Sequence, residues 1–283
     1  MKLYYYKDPA GNFGDDLNPW LWPQLFPKPI EECFEDEILF VGIGSILNHK
    51  IPEYPVKKVV FGSGFGYGSP PSFTGHWRFH CVRGPLTARA LKLPDYIAIC
   101  DSALLVRELI QPAQRAEYSA AFMPHHTVAK YDNWPRICES LGIYYIDPTA
   151  PVANSVDAIR KSALVISESL HGAIIADAFR VPWIPVRTRP RIAEFKWHDW
   201  CASLQLEHRF EWLPPAWNKN IDSSLKRLLR PCSSSVARRR LQWLMHFGKR
   251  RLSKEAVFKQ VYARLLTAYG ELVKEAVDLK GIG

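Results

Sequence analysis

The sequence predicts an α/β protein of two parallel-sheet units, and three observations carry that prediction. Short apolar runs without internal charge recur along the chain, and several end in Gly, Ser or Asp, as strands buried on both faces do when their ends carry polar loops. Helical stretches separate these runs, which suits parallel crossovers. The pattern pauses at Glu108 to Glu117, where Pro112 and Gln114 mark a linker, and then restarts. The 283 residues, 47% hydrophobic and 23% charged, exceed one ordinary domain and hold enough apolar material for two cores.

In the first unit, Leu3 to Tyr6 reads as a strand, followed by the turn Gly11-Asn12-Phe13-Gly14-Asp15-Asp16 and a helix. Further strands are predicted at Ile38 to Val41, Lys58 to Phe61, Phe79 to Val82 and Tyr96 to Cys100. Their ends carry Gly42-Ile43-Gly44-Ser45, Gly62-Ser63-Gly64, Arg83-Gly84-Pro85 and Asp101-Ser102. In the second unit, strands are predicted at Ser119 to Met123, Gly142 to Ile146, Leu164 to Ser167 and Trp183 to Val186. Helices are expected at Val156 to Lys161 and from about Ser169 to Phe179. Two Rossmann-like domains facing a cleft is the GT-B-like layout, and ligands of open α/β sheets bind at the strand C-termini. The expected boundaries are 1–112, 113–225 and a helical extension at 226–283.

Those strand ends offer Asn12, Asp15, Asp16, Ser45, Ser63, Arg83 and Asp101 from the first unit. The second adds His125, His126, Glu168, Ser169, His171, Arg187, Arg189 and Arg191. The helix starts at Arg83-Gly84 and Ser169-Leu170 present free backbone N–H groups to an anion. The set suits an anionic substrate and acid/base chemistry.

The six cysteines form no Cys-x-x-Cys pair and sit beside no His at ligand spacing, so buried thiols in a reduced compartment are expected, with no metal. The opening residues carry no secretory apolar region, and no run approaches the roughly 20 apolar residues of a membrane span. The expected location is cytoplasmic, with peripheral attachment to the inner face of the cell membrane as an open addition.

The net charge of +9 is uneven. Twelve Lys or Arg lie between Lys226 and Arg264 against Glu255 alone, so this segment carries +11 and the remainder −2. Val257, Phe258, Val261, Tyr262, Leu265 and Leu266 follow helical spacing, as do Leu241, Leu244 and Met245, with Trp243 and Phe247 adding aromatic bulk. Residues 226–269 therefore read either as an element for an anionic membrane surface or as helices packed on the body. Nucleic acid is not expected, because the body is slightly acidic and holds no module for it.

Several segments, in order, resemble a known family. They are NFGDDLN at Asn12 to Asn18, FGSG at Phe61 to Gly64, RGPLT at Arg83 to Thr87, MPHH at Met123 to His126, SESLHG at Ser167 to Gly172 and EFKWHDW at Glu194 to Trp200. Together they resemble the polysaccharide pyruvyl transferases, in particular the subgroup that builds pyruvate ketals on exopolysaccharides. Many members carry Ser-Arg before Leu-His-Gly, where this chain has Glu168-Ser169.

The resemblance implies phosphoenolpyruvate as donor, no cofactor, and a glycan acceptor, expected to be lipid-linked. It implies a donor site on the second domain and an acceptor site on the first. His171 is then expected to be the general acid or a phosphate ligand. Arg83 is expected to grip carboxylate or phosphate bidentately. Asp15 or Asp16 would take a proton from a sugar hydroxyl, against plain N-capping. Asn12, Ser63, Ser169 and Lys196 are expected to bind substrate. Of His125 and His126, one at most would reach the cleft if the chain is extended there. Arg187, Arg189 and Arg191 would share one side of an extended segment, holding an anion or forming a solvated edge. Two alternatives stay open: a GT-B type glycosyltransferase using a nucleotide sugar, and a non-catalytic glycan-binding protein.

Overall fold

The computed structural model describes residues 1–33, 37–130, 133–190, 193–217 and 224–278, with side chains from 232 to 276 in the last stretch. Arg191, and the side chains of Lys226, Arg227 and Arg230, lie outside the described residues.

The first half contains β1 (Lys2–Tyr4), α1 (Phe13–Leu25), α2 (Ile30–Cys33), β2 (Ile38–Val41), β3 (Lys57–Phe61), β4 (His76–Cys81), α3 (Pro85–Ala90) and α4 (Val106–Leu109). The second contains β5 (Ala121–Met123), α5 (His126–Ala129), α6 (Trp134–Leu141), β6 (Tyr144–Tyr145), α7 (Val152–Arg160), β7 (Val165–Ser167), α8 (Leu170–Ala178), β8 (Trp183–Arg187), α9 (Glu194–Ser203) and β9 (Glu211–Trp212). Two long helices follow, α10 (Ser224–Phe247) and α11 (Glu255–Asp278).

The strands form two parallel sheets, as the charge-free runs predict. The first has the order β1-β2-β3-β4 and the second β6-β5-β7-β8-β9. Ile38 to Val41 and Ala121 to Met123 are buried at every position, because helices cover both faces. The strand expected at Tyr96 to Cys100 does not form. Lys92 takes a left-handed backbone (φ 56°), Pro94 opens a 3-10 turn at Asp95–Ile97, and Asp101 caps the next turn by accepting the Ala103 N–H. Only one bridge, Ala98 to Val82, remains between these turns.

The largest core cluster draws Trp22, Phe40 and Phe61 from the first half and Met123, Val165 and Ile174 from the second. Helix α11 adds Phe258, Val261, Leu265 and Leu272 to the same cluster. Ala237, Leu241 and Leu244 of α10 enter a second cluster with Ile184 and Leu213. Of the two readings of the basic extension, packing on the body is therefore the one its main apolar faces adopt. No helix among the described residues is long and apolar enough to cross a membrane.

Candidate active site

A cleft of about 810 Å³ lies where strand ends of the two sheets meet, within the usual range for small-molecule sites. The second sheet explains its place. Its order reverses between β5 and β7, and open sheets bind ligands in the crevice outside the strand ends at such a reversal. The turn from β5 into α5 supplies His125 and His126, and the turn from β7 into α8 supplies Ser169 and His171. From the first half come Tyr4 at the end of β1 and Tyr5 to Lys7 just past it, with Asn12, Asp15 and Ser45. Lys196 reaches in from α9.

His171 is the second residue of α8. Two contacts hold α8 close to its sheet. Ser167 Oγ accepts the Ser169 N–H at 3.1 Å, and Gly172 packs so tightly that a Cβ would lie 2.5 Å from Ser167 Oγ. The imidazole then crosses to the other half of the molecule. Its Nε2 lies 3.6 Å from Asp101 Oδ2, and both atoms are buried without a hydrogen-bond partner. Its Nδ1 edge rests on Gly14 of α1, where a Cβ would come within 2.1 Å. Asp101 and Gly14 together fix the ring, which is 11% exposed.

Asp15 faces the same space from the first turn of α1. Asn12 Nδ2 donates to its Oδ2. Burial pushes the Asp15 carboxyl up from 3.8 to about 6, against the opposing pull of His171, Lys196 and Asn12. A carboxyl of this kind sits near the working range of an acid or base. The same shift disfavours the ionised fold by about 3 kcal/mol. The contribution to stability is complete below the ordinary carboxyl range and is lost as the pH rises through about 6. Asp15→Asn is therefore expected to melt at a higher temperature than the wild type near pH 8, with the gap closing near pH 4, while activity falls. Thermal unfolding across pH checks this, and a variant no more stable than wild type in alkali would contradict it.

Asp16 has a different task. Its Oδ2 accepts the Asn12 N–H at 2.8 Å, so it closes the start of α1, and it does not line the cleft.

His125 and His126 both line the cleft, against the expectation that one at most would do so. The chain is not extended there. His125 caps α5 by accepting the Thr127 N–H, which turns the two rings side by side with centroids 4.4 Å apart. Burial first, then the positive charges of Lys196, His126 and Arg189, push His125 down to about 3. Burial also lowers His126, against the pull of Asp8, whose Oδ2 lies 3.4 Å from Nε2. Burial thus favours the neutral, hydrogen-bonding form of both rings.

Arg83 does not reach the cleft. It is fully buried. Nε donates to Asp199 Oδ2 at 3.0 Å, one terminal nitrogen to Ser45 Oγ at 2.7 Å and the other to the Phe65 carbonyl at 2.6 Å. Asp199 also accepts the Thr87 hydroxyl and N–H. All three guanidinium nitrogens are engaged inside the protein, and the side chain is not among the residues lining the cleft. Glycines make room for it: a Cβ at Gly64 would lie 2.2 Å from the Arg83 guanidinium carbon, and one at Gly84 would lie 2.2 Å from the Asp199 carbonyl oxygen. Two segments singled out in the sequence, RGPLT and EFKWHDW, are two sides of one buried clamp.

Ser63 is also buried and donates to the Gly44 carbonyl at 3.1 Å. Arg187 pairs with Glu194 at 2.7 Å outside the cleft. Arg189 is exposed and acts on His125 only through its charge. Glu168 is turned inward. It accepts the Thr188 N–H and hydroxyl and the His125 N–H, fixing the β5 and β7 loops to one another.

A family model described as polysaccharide pyruvyl transferase matches residues 2–190. The chain belongs to the polysaccharide pyruvyl transferase family. It is also 42% identical over 212 residues to the succinoglycan biosynthesis protein ExoV of Rhizobium meliloti (strain 1021). That stretch covers 74% of this chain and 66% of the relative, just under two thirds of its length. The segment matched to the pyruvyl transferase family contains Asp15, Asp101, His125, His126 and His171. Lys196, Asp199, α10 and α11 lie beyond it.

The sequence reading of this family member missed Tyr5, Tyr6, Lys7, His49 and Lys50 as cleft residues. Tyr5 to Lys7 follow a parallel strand, so the strand-end rule would have found them had β1 been ended at Tyr4.

Proposed function

We propose that this chain transfers the pyruvyl group of phosphoenolpyruvate to a sugar of an exopolysaccharide repeat unit, closing a cyclic ketal and releasing phosphate. The observation that carries this reading is the meeting of Lys196, His171 and the raised carboxyl of Asp15 in one cleft. Family membership supports transfer of a pyruvyl group, and the succinoglycan role in the relative's name supports an exopolysaccharide acceptor. The two sheets with a cleft at their strand ends suit a GT-B-like arrangement of two Rossmann-like domains.

The roles follow from charge and reach. Lys196 and the free first-turn amides of α8 attract the donor's phosphate and carboxylate. His125, His126 and Ser169 complete the binding by hydrogen bonds. His171 protonates the methylene carbon, which becomes the methyl group. A sugar hydroxyl adds to the central carbon and gives its proton to Asp15. The carbon–oxygen bond to phosphate then breaks, a second hydroxyl adds to the same carbon, and its proton leaves with the phosphate. One donor and one diol thus yield one ketal and one hydrogen phosphate, and exchange with solvent carries the proton from Asp15 back to His171 for the next turnover. The acceptor would enter along Tyr5, Tyr6 and Lys7, and its lipid linkage is part of the proposal.

Glycan-dependent release of phosphate from phosphoenolpyruvate tests this reading. Lys196→Gln is expected to raise the KM for phosphoenolpyruvate tenfold or more, as loss of a charge-assisted contact does. Release of a nucleoside diphosphate from a nucleotide sugar, with phosphoenolpyruvate untouched, would refute it.

A further inference from the structure

The outer face of α10 carries a feature that the cleft does not use. Ala237, Leu241 and Leu244 turn inward and are fully buried. Val236, Arg240, Trp243 and Phe247 recur at i, i+4, i+7 and i+11, so they form one stripe along the opposite side. Val236 is 52% exposed, Trp243 44% and Phe247 70%. Arg240 bridges the stripe to β9. Its guanidinium lies 4.3 Å over the Trp243 ring and bonds Glu211 and the Trp212 carbonyl, beside a Trp212 ring that is itself 44% exposed.

Exposed Arg239, Lys249 and Arg250 flank this apolar stripe. None of the three has a carboxylate partner among the described residues. Large aromatic side chains left in water beside unpaired cations mark a contact surface. The chemistry distinguishes the partner. A second copy of this chain would bring like charge against like charge, which is unfavourable. A nucleic acid needs a groove or stacking platform, whereas this is the convex side of a helix with an aliphatic member. Trp and Phe with Lys and Arg on a helix lying flat are what a lipid headgroup layer accepts.

We propose that this stripe, Val236, Trp243 and Phe247 flanked by Arg239, Lys249 and Arg250, is a docking surface for an anionic lipid bilayer. The orientation that follows is specific. Ser233 touches the Pro215 carbonyl beyond the C-terminal end of β9. Past the other end of α10, Arg251 bridges Trp183 at the start of β8. Helix α10 therefore runs along the strands of the second sheet. A bilayer against it lies parallel to those strands, and the cleft at their ends opens along the membrane plane. A lipid-anchored acceptor would enter from the side. The docking surface itself does not depend on the chemistry assigned to the cleft.

Co-sedimentation of the full chain with vesicles of phosphatidylcholine, alone or mixed with phosphatidylglycerol, tests the proposal. Binding to the mixed vesicles is expected to exceed binding to the neutral ones at least tenfold. Each basic residue near such a surface contributes roughly fivefold, so R239E/K249E/R250E is expected to lose about a hundredfold. W243S/F247S is expected to lose at least tenfold, and Phe247→Ser alone shows the same direction should the double variant fold poorly. None of these residues lines the cleft, so phosphate release with a soluble acceptor stays at the wild-type level. Equal sedimentation with both vesicle types, or variants that bind like wild type, would overturn the proposal. So would self-association or duplex RNA binding that the same variants abolish while vesicles are ignored.

Discussion

Asp199→Ala is expected to lower the stability of the fold by about 3–5 kcal/mol, the usual cost of leaving one member of a buried ion pair alone. At two to four degrees per kcal/mol for chains approaching this size, the melting temperature falls by roughly 10 °C. Three hydrogen bonds to Asp199 would be lost together, and the Arg83 charge would remain in a place with no water. Arg83→Lys is expected to melt early as well, because an ammonium cannot serve Asp199, Ser45 and Phe65 at once. The replacement of both partners by apolar residues of similar volume should recover much of the loss. The measurement is thermal unfolding alongside the KM for phosphoenolpyruvate in the folded protein. An Arg83→Lys protein with wild-type melting and a raised KM would show the guanidinium to be a substrate ligand.

His171→Gln is expected to lower kcat by about 10² to 10⁴, the usual range for loss of a general acid, with little change in melting temperature. Asp101→Asn should give a smaller loss of kcat. Its effect is expected to pass through the orientation of His171, since Asp101 is fully buried, contacts that imidazole and does not line the cleft. Steady-state phosphate release for the two single variants and the double variant separates the roles. If Asp101 works through His171, adding its change to His171→Gln costs almost nothing more. Additive losses would give Asp101 a role of its own, and near-wild-type kcat in His171→Gln would remove the imidazole from the chemistry.

The two-sheet architecture was legible because strands buried on both faces must be free of charge, and the runs at Ile38 to Val41 and Trp183 to Val186 are. The strand-end rule then selected Asp15, His125, Ser169 and His171 without any knowledge of contacts. Arg83 satisfied the same rule and yet is not in the cleft. What buries it is Asp199, 116 positions later, and spacing along a chain carries no information about which helix folds over which strand end. His125 and His126 failed in the other direction. An alternating geometry was assumed, whereas a side-chain cap had already turned the backbone. For the basic extension, periodicity located the apolar faces of α10 and α11 but not the second stripe on α10. Its Trp243 and Phe247 look like core residues until the helix is seen to have its core on the other side.

The imidazole of His171 grows from one half of the molecule and is held by Asp101 and Gly14 of the other. The imidazole and its holders therefore share no rigid element except through the packed join. An opening of about one ångström between them is enough to cost catalysis on the order of a hundredfold. If His171 acts as proposed, a small molecule wedged at that seam is expected to lower activity without occupying the cleft.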